Sequence, residues 1–125
     1  MSGATLDTGA LIALDRNDRR VVALLARAAE LGATITVPAT ALAQAIRRPA
    51  QQARLARLIR QPTTQVAQLD GIDATQVGIL LARSGTKDIV DAHVVICARR
   101  NAQSIVTSDA QDLRRLDPDA HLIAV

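Results

Sequence analysis

The sequence predicts an α/β fold, a parallel sheet with helices on both faces. Three observations point there. Short runs rich in Val, Ile, Thr and Leu alternate with longer segments of helical period along the whole chain. Breakers such as Gly32, Pro38, Pro49 and Gly85 fall between these segments. Successive strands are therefore joined through helices, the connection that parallel neighbours require. With 125 residues, 49% of them apolar, the chain has material for one domain, residues 1–125, with a real core.

Residues 3–6 read as a short strand stopped by Asp7, and Thr8-Gly9 opens a helix over residues 10–14. After a polar break, Asn17 or Asp18 is placed to cap a second helix. Val21, Leu24, Leu25 and Ala28 recur there at helical spacing, and Leu31-Gly32 ends it. Residues 33–37 form the second strand, closed by Pro38. Helices are expected over 39–48, stopped by Pro49, and over 51–60, with Leu55, Leu58 and Ile59 on one face. Residues 65–69 are the third strand, and 73–84 a helix ended by Gly85. The helix over 88–101 is the most strongly marked: Asp88 and Asp91 open it and Arg99-Arg100 close it, as the helix dipole favours. Residues 104–106 form the fourth strand, after which Asp109 is placed to cap a short helix through Leu116. Residues 122–125 suit an edge strand.

Composition narrows the function. All but one of the 15 basic residues are Arg, all but one of the 12 acids are Asp, and the net charge is +3. The planar guanidinium fork suits phosphate, so the balance permits a nucleic-acid partner. There is no Phe, Tyr or Trp, which excludes recognition by stacking bases on aromatic rings. The single cysteine, Cys97, excludes an intramolecular disulfide and zinc-finger spacing, and its apolar neighbours make it a buried, inert thiol. No basic-then-apolar leader opens the chain, and no run approaches the roughly 18–20 apolar residues that span a bilayer. The expectation is a soluble, cytoplasmic protein with no membrane partner.

The acids carry the chemistry. Asp7 follows the first strand directly and Asp109 follows the fourth by two residues. In an open α/β sheet the carboxyl ends of the strands form the ligand crevice. Asp88 and Asp91, three apart, begin the helix leading into the fourth strand, so that first turn lies at the same end. Two unit charges about 4 Å apart repel by on the order of 4 kcal/mol at an effective dielectric of 20. A proton or a cation must relieve such a cluster, and an all-oxygen site suits Mg²⁺ or Mn²⁺ rather than zinc. Such an ion can activate water and polarise a phosphodiester. Asp15, Asp18, Asp70, Asp73, Asp117 and Asp119 read as turn, cap or surface acids. His93 and His121 read as structural, and no serine has His and Asp partners arranged for nucleophilic catalysis.

These residues resemble a known family. Leu6-Asp7-Thr8-Gly9-Ala10-Leu11-Ile12-Ala13-Leu14 is similar to the opening motif of PIN domains, and residues 37–44, ending in Gln44, to their second. Asp91 to Ala98 resembles the third motif, and Val106-Thr107-Ser108-Asp109 the fourth. The resemblance covers nearly the full chain in order. It implies a three-layer α/β/α fold with about five parallel strands and Mg²⁺- or Mn²⁺-dependent cleavage of RNA. Among bacterial relatives the chain looks most like the VapC toxins of toxin–antitoxin pairs. Those form homodimers, are silenced by an antitoxin whose tail covers the active site, and cut structured RNAs such as tRNA or rRNA.

By that resemblance Asp7, Asp91 and Asp109 are the catalytic, metal-holding acids. Thr8, Gln44, Thr107 and Asp112 are supporting candidates. One departure stands out: the second motif usually ends in Glu, and here the residue is Gln44, neutral and a poorer ligand for a hard cation. Asp88 is the candidate to supply the missing charge as a further metal ligand. Gln44 also keeps open a PIN domain that binds RNA or a protein partner without cutting. A receiver-like phosphotransfer domain fits less well, because the acids divide between strands one and four with a helix-borne pair between them. Arg47, Arg48, Arg54 and Arg57, with Arg60, form a basic stretch that could follow an RNA backbone. The stripe Leu11, Leu14, Val21, Leu24 and Leu25 is either core or a partner-binding surface.

Overall fold

The structure, a computed structural model, describes residues 3–125. Its strands are β1 (Ala4–Leu6), β2 (Ile35–Pro38), β3 (Thr64–Ala67), β4 (Ser104–Thr107) and β5 (Leu122–Ala124). Its α-helices are α1 (Thr8–Asp15), α2 (Arg19–Glu30), α3 (Ala39–Ala45), α4 (Ala53–Ile59), α5 (Gly71–Ser84), α6 (Ile89–Asn101) and α7 (Ala110–Leu116). All strand pairs are parallel, and the sheet order is β3-β2-β1-β4-β5. This is the predicted α/β architecture with its five strands.

That order sets the site. The chain builds outward from β1 through β2 to β3, then returns across the sheet to lay β4 on the other flank of β1. Thr5 pairs with Thr36 on one side and Ile105 on the other. The reversal makes the gap between β1 and β4 the topological switch point, where open α/β sheets hold ligands. Right-handed crossovers place the helices of the outward run on one face and those of the return on the other. Accordingly α1 packs with α2, α3 and α4, while α6 packs with α5 and α7 and covers β1, β2 and β4.

The core is aliphatic, as the composition requires. β1 is buried throughout, and Ala92 to Ala98 of α6 are all buried. A helix apolar on every side must be enclosed by protein, and α6 meets the sheet, α3, α5 and α7. Leu11, Leu14 and Val21 of the early apolar stripe are core, with Leu24 and Leu25 partly buried against it.

Three expectations are corrected. The helix expected over 39–48 stops at Ala45, because Gln52 intervenes. Its amide oxygen accepts the backbone N–H groups of Arg47 and Arg48 at 2.9 and 3.0 Å, and its nitrogen donates to the Ala45 carbonyl at 3.0 Å. Arg48, preceding a proline, is also kept out of helical geometry (φ −136°, ψ 75°). Asp109 stands at the N-cap position of α7, yet its side chain makes no capping bond. Asp73 is neither cap nor surface acid: it is 1% exposed and forms a two-pronged ion pair with Arg100, Nη1 donating to Oδ2 at 2.9 Å and Nη2 donating to Oδ1. This pair clamps the start of α5 to the end of α6. Arg100→Ala would strand a buried carboxylate. Because the Arg100 side chain is half in solvent, the expected loss is about 2 kcal/mol rather than the full value for a wholly buried pair. Urea unfolding of the variant beside Asp73→Asn, which should lose less, checks this.

Candidate active site

Asp7 ends β1 and begins α1. Its backbone N–H continues the ladder to the Val106 carbonyl at 3.2 Å, while its carboxylate caps α1 by accepting the Ala10 N–H at 2.8 Å. Both bonds fix the side chain at the carboxyl end of the central strand, 4% exposed. Thr107, the last residue of β4 and fully buried, joins the two acids of the switch point. Its hydroxyl accepts the Asp109 N–H at 2.8 Å and lies near enough to Asp7 to favour that carboxylate's charged form. The adjoining turns touch: a Cβ on Gly9 would lie 1.9 Å from Ser108 Oγ, so glycine lets the β1–α1 turn pack against the β4–α7 turn.

The electrostatics match this crowding. Burial raises the Asp7 carboxyl above the usual carboxylate range, against the hydrogen bonds from Thr107 and Ala10, and the charge of Asp109 adds to the rise. Asp91, in the first turn of α6, is pushed up to about 6, by burial first and then by the charges of Asp88, Asp7, Asp112 and Asp109. Asp112, one turn into α7, is raised chiefly by a hydrogen bond with the Asp109 carboxyl. Asp88 is the N-cap of α6, its carboxylate accepting the Asp91 N–H at 2.9 Å. The fold thus brings Asp7, Asp91, Asp109, Asp112 and Asp88 within one another's fields.

On the rim beside Asp7, Thr8 donates its hydroxyl to Gln44 Oε1 at 2.7 Å. These two residues, with Ile12, Arg16, Arg47 and Arg48, line a cleft of about 600 Å³. Arg54 and Arg57 do not join it. They border a separate groove with Leu14, Leu25 and Leu58 that reaches Ile35 and Thr64, the first residues of β2 and β3. The predicted basic stretch is therefore two patches at opposite ends of the sheet.

A PIN domain family model matches residues 4–118. The chain belongs to the PIN domain family. Its fold is similar to that of a chain in the crystal structure of VapBC2 from Rickettsia felis bound to a DNA fragment from their promoter. The TM-score is 0.69 at 16% identity, over 98% of both chains. No curated protein sequence matches it.

Other residues of this PIN domain fall into place. His93 is fully buried, with Nε2 3.2 Å from the Gln68 carbonyl and Nδ1 2.7 Å from the Thr40 hydroxyl. A carbonyl only accepts, so Nε2 carries the hydrogen and Thr40 donates to Nδ1. Burial lowers the His93 pKa, consistent with this neutral tautomer tying α3, α6 and the segment after β3 together. Cys97 is buried, and burial pushes its thiol up to about 11, as befits an inert group. His121 lies by the start of β4, its carbonyl accepting the Ile105 N–H at 2.8 Å, away from the acids. Sequence reasoning missed Arg16, Gln52 and Ser108. Helical period does signal Arg16, eight residues after Thr8 on the same face of α1. Gln52 has no local signal, because its partners are set by tertiary packing.

The raised Asp91 carboxyl has a definite sign. The folded state binds its proton more tightly than the unfolded chain, so this contribution to stability is fully present below about pH 3.8. It is lost as pH rises through about 6. Asp91→Asn keeps a neutral group throughout. In EDTA at pH 7.5 it should melt roughly 3–6 °C above the parent, with the gap closing near pH 4. Calorimetry at the two pH values checks this.

Proposed function

We propose that this PIN domain is a divalent-metal-dependent endoribonuclease, the VapC-type toxin of a toxin–antitoxin pair, acting on structured RNA such as tRNA or rRNA. The observation that carries it is the gathering of Asp7, Asp91, Asp109 and Asp112 at the switch point, where burial and neighbouring charge raise the carboxyls of Asp7 and Asp91. Among the described residues no three His, Cys, Asp or Glu side chains stand close enough to hold an ion directly. The donor set still fits Mg²⁺ or Mn²⁺, since Mg²⁺ keeps several waters and takes only one or two protein carboxylates. Asp7, Asp91 and Asp109 would hold the ion, with Asp112 and Asp88 beside them.

When bound, the ion supplies Lewis-acid polarisation of the phosphodiester and of water. The chain does the rest. Asp7 is immobilised by the Ala10 and Thr107 bonds, so it orients without rearranging. Asp91, with its pKa near 6, is suited to take a proton from water at neutral pH. Asp112, its carboxyl raised by the neighbouring Asp109, stands beside the centre as the candidate to protonate the departing oxygen.

Likeness in fold to VapBC2 supports an antitoxin partner. A homodimer is supported by α5, where Ile72 and Ile79, two turns apart, are 71% and 41% exposed. No helix among the described residues is long and apolar enough to cross a membrane, which accords with a cytoplasmic toxin. The reading without cleavage rests on Gln44 alone.

Incubation of tRNA and rRNA with Mg²⁺ or Mn²⁺ tests the proposal. Asp7→Asn should slow cleavage roughly a hundredfold or more. Equal cutting by parent and variant would reject the site. Asp88→Asn tests the proposed extra ligand: unchanged Mn²⁺ affinity and cleavage would leave Asp88 as a cap only.

A further inference from the structure

We propose that the cleft beside the acids is a phosphate subsite, in which Gln44, Arg47, Arg48 and Arg16 grip one RNA phosphate next along the strand from the one cut. This deepens the nuclease reading and rests on it for the identity of the strand.

Gln44 is the first argument. Its Oε1 accepts the Thr8 hydroxyl at 2.7 Å, which turns that atom toward Thr8. The other polar end of the side chain is the amide nitrogen, a pure donor. A donor repels a cation and attracts a phosphate oxygen. The second argument is Gln52. Its side chain, 7% exposed, holds both backbone N–H groups of the Arg47-Arg48 turn and the Ala45 carbonyl, so two adjacent arginines spring from a fixed base. The third is charge. Among the described residues Arg16, Arg47 and Arg48 form no ion pair, whereas Arg20, Arg27, Arg99, Arg100 and Arg115 each have a carboxylate partner. The one acid lining the cleft, Asp15, lies 3.5 Å from Gln52 Nε2. A basic cleft thus adjoins an acidic centre through the Thr8–Gln44 bond, the alternation that a strand with one phosphate on a cation and the next on arginine would need.

The test is fluorescence anisotropy with a labelled single-stranded oligoribonucleotide in EDTA, its length verified on a gel. Gln44→Glu should weaken binding about tenfold, and Arg47→Ala with Arg48→Ala should weaken it at least as much. The double variant should also flatten the slope of log affinity against log salt by about 0.7, one phosphate on a single strand. Arg27→Ala, a surface base outside the cleft, should leave the slope unchanged. Unchanged or tighter binding by Gln44→Glu, or an unchanged slope in the double variant, overturns the subsite. If cleavage still depends on Asp7, the nuclease reading survives that failure. If the binding changes appear but no metal supports cutting, the subsite stands and the nuclease reading falls.

Discussion

A carboxylate held at the buried end of the central strand is the constraint on which the rest depends. Asp7 cannot move away from its neighbours, because the sheet ladder holds its backbone and the first turn of α1 holds its oxygen. The fold then delivers Asp109 from the adjacent strand and Asp91 from the helix above. Burial and neighbouring charge make Asp7 and Asp91 harder to ionise, and the structure tolerates this because α6 and the sheet are locked by aliphatic packing and by His93. The proposed affinity for a doubly charged ion rests on this crowding of carboxylates more than on any preformed cage.

Much of this was legible in the sequence. Alternating strand and helix patterns imposed a parallel sheet, and parallel geometry alone sent Asp7, Asp91 and Asp109 to one end. Chain direction is a strong constraint, so the elements survived errors of two or three residues at their boundaries. What escaped was whatever a distant side chain decides. Gln52 cut α3 short and fixed Arg47 and Arg48, and nothing near residue 48 announces it. The ion pair of Asp73 with Arg100 depends likewise on two helices meeting end to end. The basic stretch looked continuous because Arg47 to Arg60 are close in sequence. It is divided because α4 carries Arg54 and Arg57 back toward the other end of the sheet.

Asp88 and Asp109 show how one residue type serves two ends. Both occupy N-cap positions, where Asp is favoured for its ability to accept backbone N–H groups. Asp88 does that work; Asp109 does not, and its carboxyl turns instead to Asp112. A helix start left without its side-chain cap sacrifices some stability.

The enclosure of α6 has a consequence for substitution. Seven consecutive positions of that helix are walled in, so a change of side-chain volume there would shift the turn that carries Asp91. The rim is anchored separately, through a single glutamine reaching across a turn, and its arginines face open water. Under the proposed nuclease reading, the rim arginines can therefore be replaced without disturbing the packing that positions the acids.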